Sequence, residues 1–478
     1  MGDIFGAADP VVAAAYNKNP LDPQNPTGRF YLVYLESSFT PQPSADARIL
    51  LVSSDDGGVT WTAPTVVEAS VGFADEHHWV DKPWIAVDIH DDFTDFTYPE
   101  QPVYVTYSSF NDAQTGAALG SFGWECDLPG PVTSGDTWPI MLEGSTDGGA
   151  NFDMTPGADP MAGFEVTDVS DPARRANRGS AVSVGPYGSI YVAYMQGGCA
   201  GTTAPVPNEI RLSAIRVDAL AKFTGPVRTT VGTFGHFPRL EDYCSPAATQ
   251  PWTFHGYLVG ESTGRDPIDP CTWDLFRVNN FPSIVASYHR PSGPPPIPFG
   301  WEWIHVTWAD WQGDYSASPA PDGHADIKYS RGTVLSVSPP EINWSSPRTV
   351  NGDSTPGHDQ FFPFVTEHQQ STGDTTVRIF YYDRRKDTEN EQISVFMAGS
   401  TDGGSTWTHE EEVRCLGLCP NDVGFQADFF IGDYIGAASS LTASGVDFSR
   451  VVWADSRNAT GVRPDNNDEI WTALSTDP

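Results

Sequence analysis

Positive charge is scarce in this chain. Of 478 residues, 26 are Lys or Arg against 62 Asp or Glu, a formal net charge of -36. Such a surface repels nucleic acid and anionic membranes, so neither is expected as a partner. Any anionic ligand needs a local cluster of cations, which makes each arginine position informative. Long apolar runs are also missing. No run reaches the about 18 residues needed to cross a membrane as a helix. Met1 to Pro10 lacks a basic stretch followed by an apolar one and does not read as a secretion leader. Cysteine is sparse, six in all, without a Cys-x-x-Cys metal pattern. The even count favours disulfides and an oxidising location: secreted, cell-surface or periplasmic.

Glycine (45), proline (41) and aromatics (12%) are plentiful. Disordered chains are poor in aromatics, so the pattern implies a packed core of short strands joined by many turns. Three segments repeat: Ser54-Asp55-Asp56-Gly57-Gly58-Val59-Thr60-Trp61, Ser145-Thr146-Asp147-Gly148-Gly149-Ala150-Asn151-Phe152 and Ser400-Thr401-Asp402-Gly403-Gly404-Ser405-Thr406-Trp407. All read Ser-x-Asp-x-Gly-x-Thr/Asn-aromatic. The pattern suits a hairpin tip, where a carboxylate accepts hydrogen bonds from turn amides and glycine permits positive φ.

Each copy, or an eroded equivalent, follows a small apolar strand and an aromatic-rich one. Six such units over the chain give about 80 residues each, the size of a four-stranded blade with loops. The sequence therefore predicts an all-β, six-bladed β-propeller of four-stranded antiparallel blades, a single domain over 1–478. The blades are expected at about 10–70, 79–168, 178–231, 280–350, 360–414 and 430–478, with a long inserted loop at 232–279. The last unit ends after its third strand, so the segment before Val11 is expected to supply its missing outer strand.

The repeated turns resemble the Asp-box, or bacterial neuraminidase repeat, of the sialidase superfamily. Tyr381-Tyr382-Asp383-Arg384-Arg385, Gly432-Asp433-Tyr434-Ile435-Gly436 and Trp453-Ala454-Asp455-Ser456-Arg457 are similar to a bacterial sialidase-like branch of it. The resemblance implies that the site lies on the rim where first strands begin and second strands end. It implies that Tyr434 is the nucleophile, with an aspartate as acid/base, the tyrosine variant among glycosidases. Asp81 fills the acid/base role because it opens the first strand of the second blade. His78 is the base if the reaction is a lyase elimination.

Arg175, Arg178, Arg384, Arg385 and Arg457 are expected to hold the carboxylate of an acidic sugar, since guanidinium forks match carboxylates. Asp383 and Asp455 stand among them, and Trp311 offers a ring for stacking on sugar. The sequence departs from the family in two places. No Arg-Ile-Pro stands in the first blade, whose Arg29 and Arg48 belong to second and third strands, and no glutamate other than Glu302 comes near the tyrosine partner's place.

Asp88, Asp91, Asp92 and Asp95 crowd hard oxygen ligands into one turn, which suits a structural calcium ion; no other cofactor is expected. Placed on the blades, the cysteines read as staples for rim loops, as Cys244–Cys271, Cys415–Cys419 and Cys126–Cys199. Three functions fit these residues: hydrolysis of an acidic oligosaccharide or polysaccharide by a monomeric enzyme, a lyase acting on uronic-acid glycans, or a carbohydrate- or protein-binding propeller without turnover.

Overall fold

A computed structural model describes residues 5–17, 27–38, 47–69, 77–89, 101–112, 137–156, 163–170, 176–197, 208–218, 220–238, 255–259, 275–288, 302–314, 322–337, 339–353, 357–369, 375–387, 390, 392–413, 425–426, 432–441, 447–455 and 469–476. The fold class is all-β, with six blade sheets of β-propeller type. They are distributed over two compact units, Met1–Thr230 with Leu335–Glu341, and Val231–Val334 with Ile342–Pro478.

In the first unit, β1 (Phe5–Asn17), β2 (Thr27–Ser38), β3 (Ala47–Ser54) and β4 (Thr65–Ala69) form the first sheet in that order. The second holds β5 (His77–Val87), β6 (Val103–Asp112), β7 (Ile140–Ser145) and β8 (Phe164–Glu165). The third holds β9 (Ala176–Val184), β10 (Ile190–Gly197), β11 (Glu209–Val217) and β12 (Phe223–Thr233).

In the second unit, β13 (His255–Val259) and β14 (Leu275–Asn279) pair as a ribbon. The fourth sheet is β15 (Ser283–Tyr288), β16 (Glu302–Asp314), β17 (Asp322–Val337) and β18 (Pro340–Trp344), with β19 (Arg348–Thr349) beside β17. The fifth is β20 (Gln360–Gln369), β21 (Thr375–Asp383), β22 (Gln392–Ser400) and β23 (His409–Glu412), with β24 (Phe425–Gln426) beside β22. The sixth is β25 (Gly436–Leu441), β26 (Asp447–Asp455) and β27 (Glu469–Thr476).

Two expectations change. The segment before Val11 does not stand apart for the last sheet: Phe5, Gly6, Ala7 and Ala8 pair with Ser38, Ser37, Glu36 and Leu35 of β2, because β1 runs on through a bulge at Asp9 and Pro10. Among the described residues the sixth sheet has three strands. The 232–279 insertion is not all loop, because it contains the β13–β14 ribbon, registered from His255↔Asn279 to Val259↔Leu275.

Strand periodicity divides the cores. On β6, Val103, Val105 and Tyr107 pack with first-sheet residues such as Val33 and Ile49, whereas Tyr104 faces Val182, Val192 and Phe223 of the third sheet. Successive side chains point to opposite faces, so one strand serves two sheet interfaces. β10 is buried along its whole length, as a strand covered on both faces must be.

The three repeated turns share one set of hydrogen bonds. The Gly58 amide donates to Ser54 Oγ at 2.9 Å, and the Thr60 amide and hydroxyl donate to Asp56 at 2.8 and 2.6 Å. Ser145, Asp147, Gly149 and Asn151 repeat this, as do Ser400, Asp402, Gly404 and Thr406. The later glycine also allows close approach to the preceding sheet. A Cβ at Gly149 would lie 2.3 Å from Leu51 Cδ2, and one at Gly404 would lie 1.9 Å from Tyr329 Oη. Tyr329 is held for that contact by buried His305, whose Nδ1 is 2.7 Å from the phenol and whose Nε2 is 3.2 Å from Ser287 Oγ.

Candidate functional site

The register defines an equivalent position in, or two residues before, the first strand of each sheet. Asp383 and Asp455 end their second strands and Asp310 lies four residues before the end of β16, and Thr307, Phe380 and Val452, three residues earlier than these aspartates, pair with Ser283, Phe364 and Gly436. Two residues before those partners are Phe281, Phe362 and Tyr434. In the first three sheets Val11↔Val33, Trp84↔Thr106 and Ala181↔Ala193 are the matching pairs, and the same step back gives Asp9, Lys82 and Gly179.

The slot is a bulge in four sheets. The ladder shifts between Ala8 and Val11, between Asp81 and Trp84, opposite Ala193 and Met195, and between Phe361 and Phe364. Its residue takes positive φ: 51° at Asp9, 54° at Lys82, 63° at Gly179 and 51° at Phe362. An extra residue in one strand bends it and re-aims a side chain, at a steric cost for anything but glycine. Proline follows the slot at Pro10, Pro83, Pro282 and Pro363, where a missing amide donor is tolerated.

Slot occupants differ in chemistry. Phe281 and Phe362 are 8% and 3% exposed, and Phe362 packs in the core against Phe361 and Tyr382. Tyr434 is only partly buried. Beside it, Asp433 is buried and fixed by Asn279 of β14, whose Nδ2 donates to the Asp433 carbonyl at 3.0 Å and to its Oδ1 at 3.3 Å. The second unit thus brings the end of β14 and the start of the sixth sheet together.

The arginines are more committed than the sequence suggests. Arg178 and Asp81 form a buried pair, Nη2 to Oδ2 2.8 Å, with side chains 1% and 5% exposed, and Arg178 lies over the Phe110 ring. Asp81 therefore pairs with the third sheet, not with neighbouring Lys82. It is buried in an ion pair that costs about 3–5 kcal/mol to break from one side. Arg384 is buried beside Asp359 at 3.7 Å and donates to the Asn390 carbonyl at 2.7 Å. Burial pushes the Asp359 carboxyl up, and Arg384 pulls it back.

Arg385 bonds Asp383 through Nε and Nη2 at 2.8 and 2.6 Å, and Glu410 of β23 at 2.8 and 2.7 Å. Its guanidinium stacks on Phe396, 4.6 Å from the ring centroid. Burial opposes the charge, but the bonds to Glu410 and Asp383 hold the guanidinium pKa above its ordinary value. Both carboxylate faces of the fork are occupied, so Arg385 braces the fifth sheet and is not open to a sugar acid.

Trp311 is 5% exposed and packs against Phe237, which makes it a core residue and removes it as a stacking platform. Glu302 pairs with Tyr288 at the far end of β15 from the slot, so it is no partner for a slot tyrosine. Arg29 bonds Asp55 at 2.6 Å and Arg48 bonds Glu36, consistent with roles in their own sheet. His78 opens β5 opposite Asn111, and Asp455 ends β26 opposite Glu469. Arg175, Arg457, Asp91, Asp92, Asp95 and all six cysteines lie outside the described residues. Asp88 is buried, and its amide donates to the Pro102 carbonyl at 2.9 Å. Among the described residues no group of three or more His, Cys, Asp or Glu is placed to hold a metal ion. Nor is any helix among them long and apolar enough to cross a membrane.

No protein-family model matches the sequence, and no curated relative matches it. Among solved structures the chain is similar to the Hadza microbial sialidase Hz136, with TM-score 0.43 and 11% identity over 94% of this chain. The chain spans 63% of the length of that sialidase. It is also similar to the intramolecular trans-sialidase from Ruminococcus gnavus, with TM-score 0.38 and 10% identity over 93% of this chain and 91% of that one. A PL25 ulvan lyase aligns with TM-score 0.34 and 12% identity over 93% and 80%.

Proposed function

We propose that this protein is a secreted glycan-active enzyme of sialidase type, which hydrolyses the glycosidic bond of an acidic sugar through Tyr434. One observation supports this reading above the others. In the fourth and fifth sheets phenylalanine fills the slot, so packing there needs a ring and no hydroxyl. The sixth sheet places a tyrosine in the same position, half-buried as a residue with its hydroxyl oxygen enclosed, next to a fixed, buried aspartate. A hydroxyl that packing does not require is a chemical feature.

In this reading the Tyr434 phenol gives its proton to solvent as its oxygen attacks the anomeric carbon, and the bond to the leaving oxygen breaks as that oxygen takes a proton from solvent. Water then displaces the tyrosine and restores the phenol. Arg457, two residues past Asp455, holds the sugar carboxylate, because Arg178, Arg384 and Arg385 are already paired with protein carboxylates. A fluorogenic sialoside tests the proposal. Dye release by the wild type, abolished in Tyr434→Phe and weakened in Arg457→Ala, supports it. No release from any acidic glycoside, or absorbance from unsaturated uronate instead, overturns it.

A further inference from the structure

Two neighbouring slots of the first unit carry opposite charges. Asp9 fills the slot of the first sheet and Lys82 that of the second. Lys82 Nζ stands 3.1 Å from both carboxylate oxygens of Asp9. Both residues hold a left-handed backbone, φ 51° and 54°, a region uncommon for residues other than glycine, though less so for aspartate than for lysine. The left-handed backbone belongs to the bulge, since Gly179 and Phe362 share it in other sheets, and a bulge re-aims the side chain it carries; in these two sheets both re-aimed side chains are charged. Lys82 is also a buried cation, 7% exposed, in a chain with 62 acidic residues and 26 basic ones. Asp9, 17% exposed, is the more accessible partner. Next to them Asp81 binds Arg178, so a second cation lies one ion pair away along the same set of first strands.

We infer that the Lys82 ammonium is an anion receptor closed by the chain's own carboxylate, and that its external ligand is a carboxylate-bearing sugar that takes the place of Asp9. The bidentate approach of Asp9 shows the geometry that such a carboxylate would reproduce. Charge supports the exchange. A protein of net charge -36 repels anions over most of its surface, so a buried cation held at a bulge within β5 is where an anion gains most. The inference is independent of turnover at Tyr434, because it concerns binding by residues of the first unit alone.

The test is calorimetric titration of the full chain with sodium glucuronate. Asp9→Asn deletes the charge and keeps a residue that accepts positive φ. It should bind glucuronate about tenfold more tightly than wild type, and adding Lys82→Met should return binding to the wild-type level. If Asp9→Asn fails to fold, Asp9→Gly suits the same backbone and carries the same expectation. Equal binding by wild type and the Asp9 variants, or undiminished binding in the Lys82→Met double variant, overturns the inference. So does equally tight uptake of inorganic sulfate at matched ionic strength, because the receptor would then not be selective for carboxylate. Sialoside turnover, measured in parallel, tests the hydrolase reading separately.

Discussion

Arg385 reaches from the end of β21 across β22 to Glu410 on β23, with two bonds of 2.7 and 2.8 Å, while the same guanidinium holds Asp383. Glu410 also accepts from Tyr381, and its carboxyl lies below the usual range; burial opposes this, but Arg385 and Tyr381 outweigh it. Removing Arg385 leaves Asp383, 0% exposed, as a buried charge. Arg385→Ala should cost about 3 kcal/mol of stability, read as a lower urea midpoint. A variant as stable as wild type would mean that the arginine is not a brace and would reopen its role as a ligand residue.

Tyr434→Phe should leave the melting temperature within about 2 °C of wild type, because Phe281 and Phe362 fill equivalent slots. Turnover of an acidic glycoside should fall by at least about 100-fold. A large loss of stability with residual activity would make the hydroxyl structural.

Glycine has two different reasons in the repeated turns. Gly57 has φ 78° and nothing within 4 Å of an added Cβ; Gly404 has φ 79° and Tyr329 Oη at 1.9 Å. Gly57→Ala should cost about 1 kcal/mol for backbone strain alone. Gly404→Ala should cost about 3 kcal/mol or more, because overpacking adds to the strain. Denaturant unfolding of the two variants checks the difference, and equal costs would show that the sheet contact at Gly404 yields freely.

Glu143 makes stability fall as pH rises from acid to about 8. Burial, reinforced by Glu68, pushes its carboxyl up to about 8, while Tyr107 donates to Glu68 Oε2 at 2.9 Å. The folded pKa is raised, so the contribution is complete below the ordinary value of 4.5 and is lost as pH rises to about 8. Wild type should melt progressively lower across that window. Glu143→Gln, which keeps the shape and cannot ionise, should show a flatter profile by calorimetry. Parallel profiles would remove Glu143 as the cause.

Acid acts on the turns. Hydrogen bonds from Thr60 and Ser54 lower Asp56 to about 2, and Asp147 and Asp402 are lowered by equivalent bonds against burial. Their folded pKa values are depressed, so the stabilisation is present above about 4 and is lost as pH falls toward about 2. Amide exchange at Thr60, Asn151 and Thr406 should accelerate, relative to the sheet interiors, on going from about pH 4 to about pH 2. Unchanged protection would exclude the carboxylates as the anchors of these turns.

Six sheets and three turns are legible in the chain alone. Alternation along strands and the Ser-x-Asp-x-Gly-x-Thr/Asn pattern are local, so the physics that reads them needs no knowledge of distant contacts. Tyr434, two residues before β25, is singled out by the resemblance of Gly432-Asp433-Tyr434-Ile435-Gly436 and not by strand alternation. Tertiary structure decided which charges meet. Asp81 bonds Arg178, 97 residues away, and Lys82 bonds Asp9, 73 residues away, although Asp81 and Lys82 are neighbours in sequence. It also decided that Trp311 is core, and that Arg385 is spent on Glu410. Ion-pair choice follows the register of separate strands and the bulge that re-aims one residue in each, and neither is written in any short stretch of sequence.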